Sequence, residues 1–399
     1  MIKAYEYRIY LTPQQEELFN QTLGLCRLYW NIVVFNKNQN HDMEIEGYKP
    51  TFQKYKPEAL EWVKNVDSTP LAQMWSDIRK AYHNFLMSYK GERKGKFSNL
   101  PKFKSKKNPK DSFRYSCLCT YPRINKNGLF ISRKIGYLDI RAGCRFCEGK
   151  WKNITFRRTA TGKWFVKICV EKKDEPKIHN GKAIGIDWNC DDNDFISMSD
   201  GTKIKCPRFL RKREKQLAHY QRELARKFVK GKEIQSNNYY KTKMKVAKLH
   251  EKVSWQRKDW LHKVSRDLAN KYEYVIVENI NLQNMAENLN HGKAVGDQGF
   301  GMLRNMLAYK TTLIKVSAKN TSKTCFDCGY VNPKVVLGVK KWVCPVCGVN
   351  HDRDINAAKN ILYKGVTSLG IVGREPSEIR NASGEPRCSV KEESELTSN

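Results

Sequence analysis

The sequence has no apolar run long enough to span a bilayer and no lipidation signal. That removes the membrane-spanning and lipid-anchored classes from consideration. Its first residues, MIKAYEYRIYLTPQQ, lack the apolar centre of a secretory signal, so export is not expected. Acid is scarce: 41 Asp and Glu stand against 74 Lys and Arg, a formal charge of +33. Such an excess exceeds what solubility needs and points to a polyanion. With no membrane segment, nucleic acid is the expected partner, and 11% aromatic residues allow base stacking as well as core packing. Even the cysteine count argues by what is missing. Thirteen is odd, and four of them fall in a metal pattern, so a disulfide framework is not expected and a reducing cytoplasm is.

What is present centres on residues 321–362. Cys325 and Cys328, followed by Gly329, form one knuckle, and Cys344 and Cys347, followed by Gly348, form a second. Each is a tight turn that points two thiolates at one tetrahedral Zn²⁺, a structural zinc ribbon. Four unrelated buried cysteines are the plain alternative, and the paired spacing disfavours it. A helix follows directly. Asp354, Ala357, Ala358 and Ile361 fall at i, i+3, i+4 and i+7 on one face. Asp352 suits a helix N-cap. Asp354 instead heads the inward stripe, and an inward carboxylate requires a partner.

Taken in order, the chain opens with a strand at 1–10. A helical segment spans 11–112, started by Thr12 and Pro13 with Gln15 at the capping-box position. Leu18, Leu25, Leu28 and Ile32 read as its first buried stripe; Trp75, Ile78, Tyr82 and Phe85 mark a second helix over 71–89. The polar face of that helix, with Gln73, Arg79 and Lys80, is a candidate nucleic-acid contact. The loop 91–110 interleaves lysines, Lys102 and Lys104 among them, with Phe97 and Phe103, which fits phosphate tracking. Short alternating strands over 113–174 predict a small β-barrel or sheet domain. It carries Cys117, Cys119, Cys144 and Cys147, where ordinary thiols are favoured over a second metal site.

A further domain over 181–320 begins after a polar linker, and its residues 183–186 form an apolar run closed by Asp187. Two more strands, two long basic helices and a second such run, 274–277, closed by Glu278, follow. Apolar runs of this kind suit central strands whose last side chain emerges at the carboxyl edge of a sheet. One more helix and strand lead to the ribbon at 321–350, then to the last helix at 351–370 and a polar tail at 371–399 that is expected to be disordered. This is an RNase H-like order: a multidomain α/β protein with small β and helical domains. Asp187, Glu278 and Asp354 converge in it. Three converging carboxylates repel one another unless divalent cations join them, and Mg²⁺ favours oxygen ligands. A pair of Mg²⁺ ions there suits phosphodiester hydrolysis.

The segments IGID (184–187), VIVEN (275–279), TSKTC with the following knuckle (321–329) and HDRDINAAKNI (351–361) resemble the TnpB family. KAYEYRIYLTPQQ (3–15), KAYHNF (80–85) and QRKDWLHK (256–263) extend the likeness over most of the chain. Members are compact, transposon-encoded RNA-guided nucleases related to type V CRISPR effectors. The resemblance implies a RuvC nuclease core with Asp187, Glu278 and Asp354 as catalytic acids and Cys325, Cys328, Cys344 and Cys347 on zinc. It implies a wedge domain from 1–10 and 113–174, a recognition domain over 11–112, a guide RNA from the transposon end, and double-stranded DNA cut beside a short adjacent motif. Where the family has a glycine two residues beyond the first acid, this chain has Asn189 in a longer, more acidic turn. Two other readings are a strand-transferring transposase and a nuclease-inactive RNA-guided binder. Against a nuclease that selects its own target, the chain shows no repeat of base-reading helices. Phosphate contacts position a duplex without reporting its sequence, whereas a bound RNA reads it by pairing.

Overall fold

The computed structural model describes residues 2–39, 61–106, 112–116, 123–125, 128–140, 149–173, 177–189, 194–280, 297–336 and 338–370. The pairs Cys117/Cys119 and Cys144/Cys147, the acidic turn at 190–193 and the tail at 371–399 lie outside the described residues. The chain divides into two compact units, Met1–Asp174 and Glu175–Asn399.

In the first unit β1 (Ile2–Tyr10) leads into α1 (Pro13–Gln39), and α2 (Ser68–Tyr89) follows. Then come β2 (Ser112–Ser116), β3 (Arg123–Asn125), β4 (Gly128–Phe130), β5 (Tyr137–Ile140), β6 (Lys150–Arg158) and β7 (Trp164–Glu171). The sheet order is β2-β6-β7-β1-β5-β4-β3, antiparallel throughout. Among the described residues no pairing joins β2 to β3, the two ends of this order. The capping box holds: the Thr12 amide donates to Gln15 Oε1 at 3.1 Å and the Gln15 amide to Thr12 Oγ1 at 3.3 Å. The buried stripe of α1 matches the expected one in part: Leu25 is core and Leu18 packs against it, while Leu28 is exposed. The core also takes Phe19, Leu23, Cys26, Trp30 and Val33. Phe19 sets the rotation, packing edge-on against Phe113, Phe156 and Trp164 at 5.0–5.2 Å between ring centroids. On α2, Ile78 and Tyr82 are core as expected.

The second unit contains β8 (Ala183–Trp188), β9 (Asp194–Met198), β10 (Lys203–Lys205), α3 (Arg211–Lys227), α4 (Asn237–Lys271) and β11 (Tyr274–Glu278). It continues with α5 (Phe300–Lys310), β12 (Thr312–Val316), β13 (Lys341–Val343), β14 (Asn350–Asp352) and α6 (Arg353–Ser368). The main sheet runs β10-β9-β8-β11-β12, with β8, β11 and β12 parallel and β9 and β10 antiparallel to their neighbours. Alternation sorts the central strands onto two faces. Ile184, Ile186, Val275 and Val277 pack against Leu261, Val264 and Leu268 of α4 and Phe300, Leu303 and Leu307 of α5. Ala183, Ile276 and Val316 on the opposite face meet Ile361 and Val366 of α6. Cover on both faces is why these strands read as continuous apolar runs.

Two boundaries differ from the sequence reading. Asp187 does not close its strand, since β8 continues through the buried Trp188. The ribbon extends beyond residue 350, because β14 pairs with β13 as far as Asp352.

Candidate functional site

Residues 183, 185 and 187 of β8 and 274, 276 and 278 of β11 point to the face that α6 covers. Because Ile186 pairs with Val277 in parallel register, Asp187 and Glu278 stand side by side at the next level. Asp354 enters from the first turn of α6. Glu278 and Asp354 are buried, at 6% and 2% exposure. Loss of water raises the Asp187 carboxyl well above its usual range, and the charges of Glu278 and Asp354 push it further, with Arg353 pulling back. Burial also raises Glu278, against the Thr321 hydroxyl that donates to its Oε1 and the charge of Lys364. An all-oxygen donor set gathered at one face of the sheet is the chemistry a hard divalent cation fits. The three acids are more loosely gathered than a closed cage. Among the described residues, the sets of His, Cys, Asp and Glu with ligand atoms all within 4.8 Å lie in the ribbon instead. Asp354 is meanwhile engaged by cations, through Arg353 at 3.0 Å and Lys340 at 3.3 Å.

Several residues that the sequence reading missed place Asp354. Asp352 caps α6 as expected, accepting from the amides of Asp354 and Ile355 at 3.1 and 3.2 Å. Lys203 on β10 holds the cap at 2.9 Å. Below the helix, Gly185 leaves room for close approach: a β-carbon there would lie 2.2 Å from the Ala358 carbonyl oxygen. The buried asparagines of α6 tie it to the ribbon. Asn356 accepts from the Phe326 amide at 3.0 Å and donates to the Thr324 carbonyl at 2.7 Å. Asn360 donates to the carbonyls of Thr321 and Thr324 at 2.9 and 2.7 Å. Two buried asparagines at i and i+4 were the available signal.

The four ribbon cysteines come together. Cys325 and Cys347 sulfurs are 3.6 Å apart, and those of Cys328 and Cys344 are 3.5 Å apart. A tetrahedron with Zn–S bonds of about 2.3 Å has edges of about 3.8 Å, so the set fits one zinc ion. Burial opposes ionisation of Cys344, yet the amides of Cys347 and Val346 outweigh it and bring its thiol down to about 7. His351, packed on Trp342, lies with Nε2 3.0 Å from Cys325 Sγ.

The candidate basic contacts lie in the first unit. Arg79 and Lys80 are exposed on α2, while Gln73 is half-buried. Lys102 and Lys104 belong to a segment fixed on α1. Trp30 Nε1 donates to the Lys102 carbonyl at 2.9 Å, and Asn31 brackets the backbone of Lys104 at 2.8 and 3.0 Å. The Lys104 ammonium sits 3.7 Å from the centre of the Trp30 ring, so its charge has an aromatic partner of its own.

Three family profiles match the chain: a "Probable transposase" over residues 167–289, a "Cas12f1-like, TNB domain" over 300–361 and a "Helix-turn-helix domain" over 1–44. In the last span the described residues form one strand and one unbroken helix. A protein of Streptomyces pristinaespiralis named "Putative RNA-guided DNA endonuclease" is 31% identical over 98% of this chain and 96% of its own length. InsQ of Escherichia coli K12, named in the same way, is 28% identical over 91% and 92% of the two chains. Among solved structures, Cas12f1 in complex with sgRNA and target DNA is similar in fold, with a TM-score of 0.53 at 13% identity. That match covers 90% of this chain and 98% of the other. The end-to-end likeness to RNA-guided endonucleases, with a transposase profile across the strands that carry Asp187 and Glu278, shows that the chain belongs to the TnpB family.

Proposed function

We propose that the protein is an RNA-guided, Mg²⁺-dependent DNA endonuclease of a transposon, with a RuvC-like core and a structural zinc ribbon. The observation that carries this reading is the meeting of Asp187, Glu278 and Asp354 on one face of a β10-β9-β8-β11-β12 sheet. In this reading the three carboxylates hold the cations and fix the position of the scissile phosphate between them. When bound, two Mg²⁺ ions supply charge to the attacking and leaving oxygens of an in-line displacement. The Thr321 hydroxyl favours the form of Glu278 that can ligate, against the burial that raises the group, and the α6 cap keeps Asp354 aimed at the strand ends. Cys325, Cys328, Cys344 and Cys347 hold the ribbon against α6, so the zinc acts on the site through Asn356 and Asn360.

The guide supplies sequence choice and the protein supplies grip. Helices α3 and α4 carry long basic faces suited to an A-form heteroduplex. The sheet of the first unit acts as the wedge domain and α1 and α2 as the recognition domain, with Gln73 the candidate reader of an adenine in the adjacent motif. The endonuclease names of the curated relatives and the presence of all three acids weigh against strand transfer and against a nuclease-inactive binder.

The test is to express the chain beside its own flanking DNA and sequence the RNA that copurifies. Rewriting the guide segment of that RNA should move the cut. Asp187→Ala, Glu278→Ala and Asp354→Ala should each abolish cleavage and leave target binding intact. RNA-free protein cutting the same site would replace this reading with a sequence-specific endonuclease.

A further inference from the structure

Asp354 offers two carboxylate oxygens, and a different cation holds each. Arg353 donates to Oδ1 from Nε at 3.1 Å and from Nη2 at 3.0 Å. Lys340 donates to Oδ2 from Nζ at 3.3 Å. The two grips are unequal. The Arg353 side chain is 18% exposed and donates to the carboxylate from two nitrogens, whereas that of Lys340 is 52% exposed and meets the carboxylate at the longer distance. Their origins differ too. Arg353 neighbours Asp354 on α6, but Lys340 comes from the ribbon, directly before β13. Its own carbonyl accepts from the Arg353 amide at 2.9 Å, and the next residue, Lys341, pairs with Asp352. β13 then runs into the zinc-ligand candidate Cys344. The position of the ammonium is therefore set by the ribbon.

We infer that Lys340 is a displaceable counter-ion of Asp354, through which the ribbon sets the affinity of the acidic site for divalent cations. This rests on the reading of Asp187, Glu278 and Asp354 as a metal site. A divalent ion entering that site needs an oxygen of Asp354, and Oδ2 is the one whose partner leaves more easily. Lys340 and the ion compete for that oxygen and repel one another, so each weakens the hold of the other. The half-exposed lysine returns to water at little cost, while Arg353 stays to orient the carboxylate. A ribbon movement that draws β13 back removes the competitor and tightens the site for its metal.

The test uses the full-length, zinc-loaded chain freed of nucleic acid, with Mn²⁺ as the probe and its binding followed by electron paramagnetic resonance. Lys340→Gln should bind Mn²⁺ roughly three- to tenfold more tightly than the wild type. Lys340→Met should do the same, Lys340→Arg should stay within about twofold of the wild type, and zinc content should be unchanged in all three. Asp187→Asn should lose the Mn²⁺ site. Equal or weaker binding by the two neutral variants overturns the inference and leaves the metal site standing, as does Lys340→Arg behaving like them. A wild type with no Mn²⁺ site that Asp187→Asn removes overturns the metal reading itself, and this inference with it.

Discussion

Gly185 lies under Ala358 with no room for a β-carbon between them. An atom built at that position would meet the Ala358 carbonyl at 2.2 Å and the Leu362 amide at 2.6 Å. Both contacts are backbone, so no side-chain rotation relieves them. Gly185→Ala should lift α6 from the sheet and carry Asp354 away from Asp187. We expect a loss of about 1–3 kcal/mol in stability, read by denaturant unfolding, and guided cleavage reduced well beyond what that loss explains. A variant as stable and as active as the wild type would show that α6 does not depend on this close approach.

The raised carboxyl of Asp187 has a consequence for stability. An acid whose native value lies above its unfolded value of about 3.9 costs stability as pH rises between the two, because the native state keeps a proton that the unfolded state releases. In magnesium-free buffer Asp187→Asn should therefore be more stable than the wild type near neutral pH. The gain should fade as pH falls toward about 4. Added Mg²⁺ should stabilise the wild type and not the variant. Melting curves across pH with and without Mg²⁺ check each arm; a gain that does not change with pH would have another origin.

Thr321, in the turn that follows β12, bears on the same chemistry at Glu278. Its hydroxyl donates to Glu278 and favours the ionised form, against the burial that raises that group. Thr321→Val should raise Glu278 further, so that metal capture requires higher pH. The acidic limb of the cleavage rate against pH, at subsaturating Mg²⁺, should move to higher pH. An unmoved limb would assign Thr321 to packing alone.

Cys344→Ser removes the ligand best prepared to ionise near neutral pH. Structural zinc contributes about 10–16 kcal/mol in small modules, so the ribbon should lose both its metal and its fold. Elemental analysis should find one zinc per wild-type chain and little in the variant, and trypsin should then cut readily at Lys334, Lys340 and Lys341. Wild-type protein without zinc would contradict the site.

The sequence exposed this centre unevenly, for physical reasons. Cysteine knuckles and apolar runs closed by an acid are local patterns, so Cys325, Cys344, Asp187 and Glu278 could be singled out before any geometry. The residues that aim them are spread along the chain and carry no local signature. Lys203 reaches Asp352 across 149 positions, and Thr321 reaches Glu278 across 43. The rotation of α1 was legible only in part. Leu25 is core as its spacing suggests, but Leu28 is exposed, because Phe19 packs among three aromatic rings and turns the buried face toward them.

The order of the acids along the chain has a consequence for synthesis. Asp187 lies near the middle of the chain, on the first strand of its sheet, and Glu278 on a later strand, while Asp354 waits for α6. The asparagines of α6 join it to a ribbon translated immediately before it. A ribosome thus releases two acids long before the third, and domains generally fold in the order they emerge. The growing chain then already has α3 and α4, the helices proposed to grip nucleic acid, but lacks the helix that brings the third acid. A premature stop between the end of α4 and Arg353 should leave a chain that keeps α3 and α4 and cannot cut.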